Sequence, residues 1–168
     1  MKNLRIWKLW EEARMPTYGT EWSACFDLSA SLRDGDEVTV YTVTNVQGKR
    51  HVYKKSIPLA SGERMLVPTG LVFDLDEGES IRLHPRSGLS LKDGIVLANA
   101  EGVIDADYVN QSYIMLTNVS SETFKITDGM RICQGEVVAV EQRNFVLADC
   151  EPETKTSRNG GYGSTGVA

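Results

Sequence analysis

The sequence predicts an all-β domain of the sandwich, jelly-roll or barrel class. Two observations point there. Apolar and polar residues alternate along many short runs, the period of a half-buried strand. Gly, Asp, Asn, Pro and Ser interrupt those runs about every ten residues, the spacing of turns in such folds. Only residues 10–14 and 87–92 leave room for a helical turn or two.

The elements follow in order. Residues 4–9 read Leu-Arg-Ile-Trp-Lys-Leu, a short strand. Residues 37–44 read Glu-Val-Thr-Val-Tyr-Thr-Val-Thr, β-branched and alternating, which suits a strand with one buried face. Asn45-Val46-Gln47-Gly48 has turn composition, and 50–57 returns as the second arm of a hairpin. Further strands are expected at 64–67, 71–75, 80–83, 94–97, 103–104, 113–118, 122–126 and 132–140. Asp128-Gly129 reads as a hairpin turn opening onto the last of these. Residues 1–150 make the core, with 33–57 a candidate hairpin insert. Residues 151–168 are Gly-rich, with Tyr162 their single aromatic, and read as a mobile arm.

The 168 residues suit one domain of ordinary size with a sizeable core. A net charge of −5 excludes a strongly basic nucleic-acid footprint. It leaves room for a phosphate-bearing ligand, because local donors and a metal ion override net charge. Cys25, Cys133 and Cys150 are scattered and odd in number, so neither a disulfide framework nor a zinc knuckle is expected. His51 and His84 lie far apart in sequence, so no His-rich metal site is expected either. There is no secretory h-region and no run near the ~20 apolar residues of a membrane span. A cytoplasmic or nuclear protein, with no membrane and no direct nucleic-acid contact, is the expectation.

Five segments carry chemistry. Ser23-Ala24-Cys25-Phe26-Asp27-Leu28 sets a carboxylate among small and apolar residues, where a charge needs a partner or a metal. Pro85-Arg86-Ser87-Gly88 offers a guanidinium fork, a hydroxyl and a bare backbone N–H, the ingredients of a phosphate cradle. Asn99-Ala100-Glu101-Gly102-Val103-Ile104-Asp105-Ala106-Asp107-Tyr108 ends an apolar pair on two carboxylates. On a continued strand Asp105 and Asp107 would share one face, and either would accept a proton from water. Gly129-Met130-Arg131-Ile132-Cys133-Gln134 opens a strand with two donor side chains. Arg158 and Gly160-Gly161-Tyr162-Gly163-Ser164-Thr165-Gly166 combine anion donors with one aromatic able to lie on a base.

In this order and spacing, the five segments resemble the five motifs of the trimeric dUTPases, from about residue 20 to the C-terminus. The resemblance implies a β jelly-roll or distorted-barrel homotrimer with active sites shared between chains. It implies hydrolysis of dUTP to dUMP and pyrophosphate with Mg²⁺, which keeps uracil out of DNA and supplies dUMP for thymidylate synthesis. By the same resemblance, Asp105 is the catalytic residue that orients or deprotonates water. Asn99 and the Gly102 hairpin read the uracil, and Tyr108 packs under the deoxyribose and crowds a 2′-hydroxyl. Arg86, Ser87, Gly88 and Gln134 hold phosphates, and Asp27 stands near the metal, touching it through water. On the arm, Arg158, Gly163, Ser164 and Thr165 contact phosphates while Tyr162 stacks on the base.

Some positions depart from that pattern. Val109-Asn110 follows Tyr108 where Arg or Gln and then Gly are usual; Asn tolerates a left-handed backbone, so the turn can survive. Cys25 replaces a usual Gly, and Arg158 lies one residue nearer the aromatic than expected. Residues 33–57 add about 15–20 residues beyond the family's usual spacing, by the loop-length logic of surface insertions. Their basic run, Lys49 to Lys55, offers a surface for a protein partner, which gives the alternative of a dUTP-binding regulator. A dCTP deaminase is less suited: the catalytic Glu expected beyond the hairpin is missing.

Overall fold

The structure is a computed structural model describing residues 2–157. Its early strands are β1 (Arg5–Lys8), β2 (Thr17–Tyr18), β3 (Phe26–Ser29), β4 (Glu37–Tyr41), β5 (Gln47–His51), β6 (Ser56–Leu59) and β7 (Arg64–Pro68). They are followed by β8 (Leu71–Asp74), β9 (Glu79–His84), β10 (Ile95–Leu97), β11 (Gly102–Asp105), β12 (Tyr113–Asn118), β13 (Phe124–Thr127) and β14 (Arg131–Ala139).

Two five-stranded sheets dominate, ordered β10-β12-β7-β4-β5 and β11-β9-β14-β3-β2. Two strand pairs, β1-β8 and β13-β6, complete the set. All these pairings are antiparallel. The all-β jelly-roll class is therefore observed, but among the described residues each sheet order is open and no continuous barrel closes.

Alternation builds the core as expected. Val38 and Val40 of β4, and Ile114 and Leu116 of β12, point inward while their neighbours face out. They join Leu28, Ile57, Val67, Leu71, Ile81 and Ile126 in one buried cluster spanning both large sheets. Burial of such side chains contributes about 1.5–3 kcal/mol each.

Several local expectations are corrected. The β4–β5 turn is 42–46, with Asn45 at φ 62°; Gln47 and Gly48 already belong to β5. Thr42 closes it, donating its N–H to the Val46 carbonyl and accepting the Val46 N–H on its hydroxyl. Asp128-Gly129 does not make a hairpin. β13 pairs with β6 and β14 with β3 and β9, so the turn passes the chain between sheets. Gly129 is needed there: φ is 74°, and a Cβ would run into the Arg14 guanidinium. Residues 10–14 form no helix, and 87–92 yields one π-helical turn at Leu89–Asp93. β3 is not expected as a strand, because Asp27 interrupts its apolar pattern, and β2 is two exposed residues with no pattern to read.

Residues 33–57 extend the first sheet at its edge through β4 and β5. Their basic run is partly engaged by the fold. Arg50 makes a two-pronged pair with Glu63 at 2.6 and 2.7 Å and donates to the Pro58 carbonyl. Lys49 donates to Thr39, and His51 faces Glu37. Arg50, aided by the Ala60 N–H, holds the Glu63 carboxyl below its usual range against the opposing effect of burial.

Candidate functional site

Three adjacent strands, β9, β14 and β3, bring together Asp27, Gln134 and the nearby Arg86, residues expected at a phosphate site. Asp27 lies in β3 opposite Gln134 of β14. Arg86 follows β9 by two residues, its carbonyl accepting from the Ser90 N–H and hydroxyl. The Asp27 side chain is 7% exposed, so its charge needs partners. It has them: Arg86 Nε donates to Oδ1 and Arg131 Nη1 to Oδ2, each at 2.9 Å. Gln134 Nε2 reaches Oδ1 at 3.4 Å.

A β-bulge makes this convergence possible. Arg131 pairs with Ser29 and Cys133 with Leu28, leaving Ile132 without a partner. In a regular strand, residues three apart point to opposite faces. The extra residue restores one face to both Arg131 and Gln134, so both reach Asp27. Sequence reading named Arg131 in its motif but gave it no role; its pairing with Asp27 is the signal that a period of two concealed.

Ser87 and Gly88 are exposed beside Arg86. Gly88 has an ordinary helical φ of −63°, and a Cβ there would meet nothing within 4 Å. Neither backbone strain nor packing within the chain demands glycine at this position. Its bare N–H is open to a close-approaching ligand.

The third motif builds a second place. β10 pairs with β12, β11 with β9, and residues 98–101 turn the chain from one sheet to the other. The left-handed residue is Ala100, φ 61°, and not Asn110. Gly102 is held for packing, since a Cβ would press on Leu83 at 2.9 Å. Asn99, Gly102, Tyr108, Ser112, Tyr113 and Met115 help line a cavity of about 250 Å³. Tyr108 donates its hydroxyl to the Gln111 carbonyl at 2.9 Å, which fixes the ring. Ser112 Oγ is buried with no hydrogen-bond partner among the described residues.

Asp105 ends β11 and is exposed. Asp107 lies in the turn beyond it, so the two carboxylates do not share a strand face as a continued strand would require. Asp105 lines a different cleft, with Glu77, Glu79 and Asp107. The 250 Å³ cavity includes neither Asp105 nor any of Arg86, Ser87, Gly88 and Gln134. Arg158, Tyr162, Gly163, Ser164 and Thr165 lie outside the described residues. One chain thus presents the cavity at Asn99 and Tyr108, the Asp105 carboxylate and the Arg86–Asp27–Gln134 cluster as separate places.

Residues 50–166 match the dUTPase family profile. The chain is 37% identical to deoxyuridine 5'-triphosphate nucleotidohydrolase of Rhizobium rhizogenes over 154 residues, 91% of this chain and 85% of the relative. Its fold is similar to that of a Staphylococcus bacteriophage 80alpha dUTPase with dUpNHpp. The TM-score is 0.77 at 19% identity, over 99% of this chain and 100% of the other. It is also similar to the dUTPase from phage phi11 of S. aureus, a structure that describes coordination of a structural Mg(II) ion. There the TM-score is 0.68 at 20% identity, over 88% and 97%.

Proposed function

The chain belongs to the dUTPase family, and on that premise we propose that it hydrolyses dUTP to dUMP and pyrophosphate at sites shared between the chains of a homotrimer. The family match over most of the chain carries this function. The shared site is supported by the separation, within one chain, of the cavity at Asn99 and Tyr108 from the cradle at Arg86 and Gln134.

The cavity takes the uracil and deoxyribose. Asn99 and the hairpin backbone read the base edge, and Ser112 Oγ offers a further polar contact. Tyr108, pinned through its hydroxyl, stands where a ribose 2′-hydroxyl would have to fit. Arg86, Ser87, Gly88 and Gln134 neutralise and orient the phosphates. Charge neutralisation comes first for a polyanion, because water cannot approach it otherwise. Asp105 then holds the attacking water and accepts its proton as the α–β phosphoanhydride breaks. Arg158, Gly163, Ser164 and Thr165 add phosphate contacts, and Tyr162 stacks on the base, excluding bulk water.

Asp27 has both oxygens on guanidinium groups, so a direct Asp27–metal bond does not fit this arrangement. Mg²⁺ instead enters on the triphosphate as part of the substrate, where it offsets phosphate charge. The role of Asp27 is to position Arg86, and any contact to the ion's hydration shell lies beyond that pair.

Pyrophosphate release measured with dUTP, dCTP, dTTP and UTP tests this function. Release from dUTP alone is expected. Equal release from dCTP, or none from dUTP, would overturn it.

A further inference from the structure

We propose that Cys25, His84 and Glu136 form a binding site for a Zn²⁺-class ion, one tier along the sheet from the phosphate cradle. The Cys25 thiol sulfur, a ring nitrogen of His84 and a carboxylate oxygen of Glu136 all lie within 4.8 Å of one another. Each residue is two positions from a cradle residue: Cys25 from Asp27, His84 from Arg86, Glu136 from Gln134. On β14 that spacing keeps Glu136 on the face of Gln134, while Cys25 sits in the bend just before β3 and His84 ends β9. The antiparallel pairing of β3, β14 and β9 then gathers them across the sheet.

The histidine–carboxylate separation matches two ligands of a four-coordinate ion, and the sulfur lies near enough to close on it. His84 Nε2 stands 3.2 Å from Glu136 Oε1. A tetrahedral ion with bonds of about 2.0–2.1 Å holds its nitrogen and oxygen ligands about 3.3–3.4 Å apart. An ion can therefore replace the His84–Glu136 hydrogen bond with little movement, and the thiolate supplies the third ligand. A water takes the fourth position.

Around the histidine a second carboxylate lies on the far side of the ring. Its other nitrogen, Nδ1, lies 3.9 Å from Glu101 Oε1, and Glu101 is itself 3.5 Å from Arg82 Nη1. At that distance the Glu101 carboxylate makes no hydrogen bond to Nδ1, but its charge favours the proton there and so favours the tautomer that presents Nε2 to an ion. His84 and Glu136 side chains are 33% and 36% exposed, which leaves a path for entry.

Charge and softness choose the ion. On binding, the Cys25 thiol gives its proton to solvent, and thiolate plus carboxylate balance a divalent charge. Sulfur and imidazole favour Zn²⁺ or Co²⁺ over Mg²⁺, which prefers oxygen. The site is thus separate in chemistry from the ion that accompanies a triphosphate, and it does not depend on the hydrolytic function.

Co²⁺ titration of the metal-free, reduced, full-length protein tests the proposal. A near-ultraviolet thiolate-to-cobalt band is expected to saturate at one ion per chain and to disappear on adding Zn²⁺. Cys25→Ser should abolish the band, His84→Gln should abolish or displace it, and Cys150→Ser should leave it unchanged. Glu101→Gln should weaken the apparent affinity about 10- to 100-fold, the usual effect of losing such a support. If Cys25→Ser fails to fold, the His84→Gln and Glu101→Gln titrations decide. No saturable band, a band lost in Cys150→Ser, or a band indifferent to His84→Gln would overturn the site.

Discussion

Asp27→Asn tests whether a buried carboxylate holds Arg86 in place. The change keeps the side-chain shape and removes the charge. In the structure the carboxylate accepts from Arg86 and Arg131 at 2.9 Å, with Gln134 at 3.4 Å. Asparagine keeps one acceptor oxygen but turns N–H groups toward a guanidinium. Hydrogen bonds to charged groups contribute about 1.5–3 kcal/mol. The Arg86 side chain is 24% exposed, so its bond counts near that range. Arg131 is 56% exposed, and solvent screening discounts its share to ~0–1 kcal/mol. The expected loss is about 2–3 kcal/mol. For a chain this long, each 1 kcal/mol lowers Tm by about 2–4 °C, so a drop of about 4–12 °C is expected. Misplacing Arg86 should also reduce kcat/KM for dUTP, by up to about 100-fold. Thermal melts by circular dichroism at fixed protein concentration and pyrophosphate-release kinetics measure both effects. A Tm within about 2 °C of the parent together with unchanged kcat/KM would refute the positioning role.

Asp105→Asn should keep dUTP binding and lose turnover by about 10²–10⁴-fold, the contribution of a general base. Single-turnover kinetics beside equilibrium binding check it, and retention of more than about a tenth of parental turnover would count against Asp105. Tyr108→Ala should admit UTP, because it removes a barrier fixed by the Gln111 carbonyl. Tyr162→Ala should weaken nucleotide binding roughly 5- to 150-fold and leave sugar preference alone, since base stacking is worth about 1–3 kcal/mol; kcat/KM for dUTP and UTP on both variants separates the roles. The Glu63 carboxyl is depressed by Arg50 in the folded chain, so its stabilisation is present above the ordinary glutamate value of about 4.3 and is lost as pH falls through the folded value. Urea unfolding at neutral pH and below about pH 4 should show a smaller acid loss in Glu63→Gln than in the parent.

Most strands from β4 onward, and most of their inward faces, are legible in the sequence; the exception is 50–57, read as one hairpin arm but divided between the end of β5 and the start of β6, which pairs with β13. Alternating Val, Ile and Leu cannot bury one face in any other register, as Val38 and Val40 or Ile114 and Leu116 show. The five motifs are local in sequence, so Arg86, Asn99, Asp105, Tyr108 and Gln134 could be named as candidates from the sequence alone. What a one-dimensional pattern misses is whatever depends on two strands at once. β3 escaped notice because Asp27 breaks its apolar run, and only the arginines on β14 and beyond β9 make that charge tolerable. The bulge at Ile132 is decided by pairing with β3, and without it Arg131 would point away from Asp27. Arg50 looked like one charge of a basic run until Glu63 claimed it. Cys25, His84 and Glu136 stand far apart in the chain, and no spacing rule links them. They meet because antiparallel register sets distant residues side by side, a relation that exists only once the sheet has formed.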